Sequence, residues 1–405
     1  MATATDSSPH PAPDREQRAP WKSWLAVLTV AVGIFSLVTA EQLPVGLLTS
    51  VGSSLDVSEG TAGLMVTVPG IVAGVSAPLV PLLAGSLDRR WLLAALMLLM
   101  AAAHLVSTVA PNFAVLLTSR VLVGLSIGGF WAIAGGLATR LVPQRSVARA
   151  TSLVFSGVAA ANVLGVPMGT LIGELAGWRT AFAALGGLGA VVLLGLLVLL
   201  PHLPASEPVR VRALAQQFGN TGVRRAALAT FLVVTGHFAA YTFVSPVLQR
   251  LSGIDSGMIS QLLLVYGAAG LVGNFLVGAA VARDVRRTML TISAALTVIL
   301  VLFPLLGGNG IGGTVLLVLW GLAFGGVSVS LQTWVIKAAP AAVEAATSLY
   351  VFVFNTSIAL GALLGGIVVD SLTLTAALWF GGALVLLMGL TAAGLRKAQL
   401  ASTES

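Results

Sequence analysis

The chain has 405 residues, 57% of them apolar and only 9% charged, which leaves too little polar surface to keep a protein of that size in water. It contains no cysteine, excluding disulfide frameworks, thiolate metal sites and cysteine nucleophiles. The formal charge of +7 would point to nucleic acid in a soluble protein; in so apolar a chain it reads as the basic bias of cytoplasmic loops.

Residues 1–23, rich in Pro, Ala and charge, read as a disordered cytoplasmic tail. They are not a cleavable signal, because no small-residue cleavage site follows an apolar core of the right length. From Trp24 onward the chain consists of apolar runs near the ~20 residues needed to cross a bilayer. Six lie at 24–47, 61–83, 91–110, 113–138, 147–172 and 179–200. Six more lie at 226–248, 258–281, 288–306, 312–336, 345–369 and 374–395. Between the sets, residues 201–225 carry Pro201, Pro204, Pro208, Arg210, Arg212, Arg224 and Arg225 and form a linker; residues 396–405 form a second tail. The expectation is an all-α membrane protein of twelve spans in two six-helix halves, 24–200 and 226–395.

Charge gives the orientation. With the N-terminus inside, Arg15, Arg18, Lys22, Arg89, Arg90, Arg140, Arg145, Arg149, the linker arginines, Arg283, Arg286, Arg287, Lys337, Arg396 and Lys397 all fall on the cytoplasmic side. That is 18 of the 21 basic residues; Arg179 and Arg250 fall outside and Arg120 within a span. Both termini are therefore expected in the cytoplasm.

The two halves repeat. Gly124-Leu-Ser-Ile-Gly-Gly returns as Gly321-Leu-Ala-Phe-Gly-Gly, and Pro143 as Pro340, at an offset of 197. Ala150-Thr-Ser-Leu returns as Ala346-Thr-Ser-Leu at 196, as do Gly165 and Gly169 (Gly361 and Gly365), Glu174 (Asp370) and Asp88 (Asp284). An offset that holds across loops, prolines and acids indicates duplication.

Several segments resemble the drug:proton antiporter branch of the major facilitator superfamily, whose arabinose-efflux-like permeases share this build. These are Thr39-Ala-Glu-Gln-Leu-Pro-Val-Gly-Leu-Leu, Asp56-Val-Ser-Glu-Gly-Thr-Ala-Gly-Leu and Leu87-Asp88-Arg89-Arg90, the last without its usual central glycine. Arg120-Val-Leu-Val-Gly124 resembles the span 4 motif in which an arginine is tied to proton coupling. Gly157, Gly165-Val-Pro167-Met-Gly169 and Gly177-Trp178-Arg179 resemble the antiporter motif of span 5, with Val166 standing extra between glycine and proline. The resemblance implies proton-driven export of a small organic molecule, a drug, antibiotic, sugar or nucleoside-like metabolite, across a bacterial inner membrane. An importer or facilitator of the same fold, or a membrane sensor without transport, is the alternative.

Within the spans, charge is rare and costs ~2.5–3.5 kcal/mol per group on insertion scales. Glu41 and Arg120 lie at similar depth and are expected to form the proton-coupling pair, the alternative being a salt bridge that pins helices. His237 falls at offset 196 from Glu41 and, with Tyr241, Asn162 and Asn355, is a candidate lining of the substrate cavity; quiet interhelical hydrogen bonding is the other reading. His104 is read as packing. Asp88, Arg89 and Arg90, with Asp284, Arg286 and Arg287, are a candidate conformational latch or ordinary flanking charge. Glycines at four-residue spacing (Gly124/Gly128, Gly165/Gly169/Gly173, Gly321/Gly325, Gly361/Gly365) let helices approach closely, either as sliding seams between the halves or as static packing. Pro167 loosens the local ladder and is expected to serve as a working bend or as a purely structural kink. No phosphate loop, metal cluster or nucleophile–base set is present, so no enzyme activity, no cofactor beyond a proton gradient and no nucleic acid partner are expected. The partners expected are the solute, protons and the bilayer, with the chain a monomer.

Overall fold

The computed structural model describes residues 21–204 and 219–393. Residues 1–20 and 394–405 and the linker's Pro208, Arg210 and Arg212 lie outside the described residues, while Trp21, Lys22 and Ser23, expected in the tail, form the first turn of span 1. Among the described residues eleven helices are long and apolar enough to cross a bilayer, and the bent pair Thr221–Tyr241 and Val244–Leu251, taken as one span, makes twelve. Spans 1 to 4 are Trp21–Ser54, Glu59–Ala84, Arg89–Thr108 and Phe113–Leu141. Span 5 runs through Val147–Ala160, a π-helical turn Ala161–Gly165 and Val166–Ala176; span 6 is Trp178–Leu199. Span 7 is the bent pair, and span 8 is Ile259–Arg283. Span 9 is Val285–Leu306, span 10 joins Gly310–Gly325 to Val327–Ala338, and spans 11 and 12 are Val343–Ser371 and Leu374–Ala393.

Side-chain caps set where several spans begin. Ser58, Asp88, Asn112, Asn220, Asp284 and Asn309 each accept from a backbone N–H of the turn they precede. Asn220 takes Gly222 and Val223 N–H, so span 7 starts at Thr221, ahead of the expected 226, and Arg224 belongs to its first turn. We call the end of the bundle that carries the 6–7 connection the linker face and the opposite end the far face.

Two hydrophobic clusters follow the two halves. One gathers spans 1–6 around Ile34, Met97, Phe130 and Phe182, the other spans 7–12 around Leu300, Trp320, Trp334 and Val385. The duplication is visible contact by contact. A side chain on Gly165 would strike Thr39, and one on Gly361 would strike Thr235; Gly169 sits on Leu43 and Gly365 on Ala239. Gly124 packs on the Pro69 carbonyl and Gly128 on that of Ala73, while Gly321 and Gly325 pack on Tyr266 and Gly270. Every one of these contacts stays inside one half: span 5 on 1, span 4 on 2, span 11 on 7 and span 10 on 8. The regular glycine stripes therefore pack within each half and do not form the seam between the halves.

Other glycines form the seams. Gly70 abuts Ala359 on span 11, and Gly267 abuts Asn162 on span 5, one contact the repeat image of the other. Spans 2 and 11 touch most tightly at the far face, where Gly60 and Gly366 meet backbone to backbone. Along the rest of the seam they stay in contact: a Cβ on Gly70 would lie 2.9 Å from Ala359 Cβ, and one on Gly74 3.5 Å from Thr356 Oγ1.

Candidate functional site

Apolar helices fix the few polar side chains they carry at defined depth. Arg120 and Glu41 are fully or almost fully buried, at 0% and 5% exposure. They share a level of the bundle, because Arg120 Nη1 donates to the Ala40 carbonyl at 3.3 Å. They form no ion pair here. The guanidinium turns toward spans 3 and 6: Nη2 lies 3.2 Å from His104 Nδ1 and donates to Ser107 Oγ at 3.1 Å, and the Phe182 ring lies under it at 4.8 Å. Ser107 and Ser119 share a further bond of 2.7 Å, and His104 stacks on Phe182. His104 is thus not mere packing but Arg120's partner, and its Nδ1, facing a donor, must be the unprotonated ring nitrogen. Glu41 Oε1 is buried with no hydrogen-bond partner. A carboxylate and a guanidinium thus stand at one level, neither paired with an opposite charge.

Next to Glu41, Gln42 Nε2 donates to Asn162 Oδ1 at 3.1 Å. Gln42 went unnoticed in the sequence, although it stands within the span 1 motif. Asn162 occupies the π turn of span 5, just before Gly165-Val166-Pro167. A π turn takes up one more residue than an α turn, and Val166 is the residue that departs from the motif. Pro167 removes a backbone donor at the same place. The equivalent stretch of span 11 has Leu363 where span 5 has Pro167, and it stays α-helical.

In the other half, His237 lies inside an aromatic group. Its Nδ1 accepts from Trp320 Nε1 at 3.1 Å. Phe324, His237, Tyr241 and Tyr266 stack in series at centroid distances of 3.3, 5.0 and 4.8 Å, and Trp320 stands edge-on to the last three. Asn355, by contrast, is half-buried and donates to Val351 of its own helix, so the structure does not bring it into this group.

At the linker face, Asp88 caps span 3 and accepts from Leu203 N–H and the His202 ring. Arg89 N–H donates to Leu203 O, and Arg90 reaches the Leu197 carbonyl. Asp284 caps span 9 and pairs with Arg287 at 3.3 Å, and Arg286 bonds the Ala393 carbonyl at 3.0 Å. These contacts lie within the halves, so neither cluster bridges them in this conformation. The bridging groups stand at the far face. Asp370 accepts from Ser58 Oγ and Gly60 N–H, Glu174 from Ser260 N–H and Oγ, and Glu59 pairs with Arg250 at 2.8 Å. Ser245 Oγ adds a bond to Val45 O at 2.9 Å.

A bundle of two equivalent six-span halves, joined by polar contacts at one face, has the build of a multi-pass membrane transporter. The sequence model of the Major Facilitator Superfamily matches residues 30–355 and, overlapping, 226–403, and the chain belongs to that family. It is 36% identical over 369 residues to the transcription regulatory protein OpdE of Pseudomonas aeruginosa, covering 90% of this chain and 92% of that one. To the purine ribonucleoside efflux pump NepI of Escherichia coli it is 33% identical over 368 residues, covering 91% and 93%. Among solved structures, a bacterial homologue of the human lysosomal transporter Spinster, inward-facing and unoccupied, superposes with a TM-score of 0.69 at 17% identity over 92% of this chain and 96% of that one. The human organic anion transporter TETRAN does so at 0.66 and 18%, covering 92% and 99%.

Proposed function

We propose that this chain is a proton-coupled exporter of a small organic molecule, working by alternating access with its linker face and both termini in the cytoplasm. The observation that carries the reading is the unpaired state of Glu41 and Arg120 at one level of the membrane. A buried guanidinium held only by neutral groups is costly, and an ionised carboxylate beside it is the natural exchange partner. A protonated Glu41 needs no such partner. Loading and unloading a proton on Glu41 therefore selects between Arg120 bound to His104 and Ser107 and Arg120 bound to Glu41. The clasped far face, with no ion pair or side-chain hydrogen bond bridging the Asp88 and Asp284 clusters at the linker face, fits the cytoplasm-open half of the cycle. The linker-face clusters at Asp88 and Asp284 are then the latch of the opposite half.

The nucleoside efflux relative makes nucleoside-like metabolites the first solutes to test. A strain expressing the chain is screened for resistance and reduced accumulation across drugs, antibiotics, sugars and nucleosides, with ATP held constant and a protonophore added. Export that collapses with the protonophore supports the reading; export that survives it removes proton coupling. A non-transporting membrane regulator is the second reading, favoured by the name of the Pseudomonas relative. It predicts no solute movement by the purified protein in vesicles.

A further inference from the structure

If Arg120 alternates between two docking places, as the exporter reading requires, one turn of span 1 contributes to both. Ala40 offers its carbonyl to Arg120 Nη1 at 3.3 Å, and Glu41, the next residue, carries the carboxylate. In an unbroken α-helix the Ala40 carbonyl would be taken by the N–H four residues on. That residue is Pro44, buried inside the helix, and a proline has no N–H to give. Ala40 is itself fully buried, so without Arg120 its carbonyl would be a buried acceptor deprived of its helix donor, which is costly. Pro44 thus reserves an acceptor for the guanidinium, alongside His104 Nδ1 and Ser107 Oγ.

The second half has the same span without this arrangement. The contacts of Gly165 with Thr39 and of Gly361 with Thr235 fix the offset at 196. Ala240 then answers to Pro44 and Gly236 to Ala40, and Ala240, inside helix Thr221–Tyr241, brings the N–H that Pro44 lacks. Leu317 stands where the first half has Arg120. The proline and the arginine are therefore present together in one half and absent together from the other. A proline needed only as a bend would not have to follow the arginine. The titratable groups around this turn are Glu41, Arg120 and His104, with His237, Tyr241 and Tyr266 from the other half; the remaining charges of spans 2–6 and 8 stand in their end turns.

Granted the exporter reading, we infer that Pro44 is a positioning residue for proton coupling: by withholding an N–H from the Ala40 carbonyl, it creates the neutral dock that draws Arg120 off Glu41. A donor restored at position 44 competes for that carbonyl. Arg120 then spends more of its time paired with the Glu41 carboxylate, where its hydrogen bonds are charge-assisted on both sides.

The test uses the full chain in lipid nanodiscs and dicyclohexylcarbodiimide, which reacts with protonated carboxyls inside a membrane. Modification of Glu41 is followed by mass spectrometry at neutral pH. Pro44→Ala and Pro44→Leu both restore the N–H, and each should slow the modification on the order of tenfold. Pro44→lactate, an α-hydroxy acid introduced by nonsense suppression, also loses the ring but puts an ester oxygen where the N–H would be. It should restore the parent rate. In an Arg120→Gln background Pro44→Ala should make no difference, because no guanidinium competes for the carbonyl. Slowing by Pro44→lactate as large as by Pro44→Ala would make the proline a bend alone and overturn the inference. Equal rates in all variants, or a Pro44→Ala effect that persists without Arg120, would do the same. If Pro44→Ala does not fold, Pro44→Leu against Pro44→lactate carries the comparison. Proton-driven export with equal labelling rates refutes the dock and leaves the exporter standing. The labelling pattern without proton-driven export does the reverse.

Discussion

Asp370, at the far end of span 11, accepts the backbone N–H of Gly60 at 2.9 Å and so caps the first turn of span 2, a helix of the other half. Its repeat counterpart Glu174 does the same for Ser260 at the start of span 8. Each half therefore finishes a helix of its neighbour, and opening the far face must leave two helix starts without these partners.

Neutralising both acids should loosen this face. In the double variant Glu174→Gln with Asp370→Asn, a cysteine placed at the buried seam residue Val66 should react faster with an impermeant maleimide added from outside. The chain has no cysteine of its own, so the signal is clean. Labelling no faster than in the parent would show that the clasp does not hold the gate.

His104 is expected to matter through Arg120. His104→Leu removes an acceptor from a buried guanidinium and should cost about 1–3 kcal/mol, read as a lower thermal midpoint in detergent. His104→Gln supplies a replacement amide oxygen and should recover most of that loss. Equal midpoints for the two variants would make the Nδ1 contact incidental.

The exchange of Arg120 between partners has a separate signature. Glu41→Gln should abolish uphill export while solute binding stays measurable and independent of pH. Arg120→Lys keeps charge but loses the planar fork, and should damage transport nearly as much as removing the charge. A merely structural bridge predicts that Glu41→Gln with Arg120→Gln restores proton-driven export. Recovery of expression alone would leave the coupling role intact.

Asp88 gives a pH dependence outside the membrane. Partial burial raises its carboxyl, but the N–H groups of Arg90 and Leu203 and the His202 ring outweigh this and hold it below the ordinary aspartate value of 3.8. A depressed folded-state value means the stabilisation is present above that ordinary value and is lost as pH falls through the folded one. The thermal midpoint should therefore drop on acidification below about pH 4, and Asp88→Asn should flatten this part of the profile. A profile unchanged by the substitution would contradict the role of the cap network.

What was legible in the sequence was length, depth and repetition. The offset of 196–197 that aligns Gly165 with Gly361 also aligns their contacts, Thr39 with Thr235. What was not legible was rotation about each helix axis. Spans 1 and 4 are apolar on all sides, so nothing in their periodicity shows that Arg120 turns toward His104 and away from Glu41. A signal did exist. Spans 3 and 4 form a hairpin closed by Val109–Asn112, and Ser107, His104, Ser119 and Arg120 lie within a few turns of that corner. The glycine stripes left two readings open for a related reason: four-residue spacing marks close packing but does not say against which half. The extra Val166 was visible as a departure, and the π turn that accommodates it places Asn162 in the seam.

The most direct test of proton-coupled export is proton movement itself. Inside-out vesicles carrying the full chain are acidified within, and lumenal pH is followed with a fluorescent dye after inosine is added outside. Exchange predicts a rise in lumenal pH that saturates with inosine and is absent in Glu41→Gln. Inosine accumulating in those vesicles with no proton efflux, or with equal efflux in Glu41→Gln, would contradict the account.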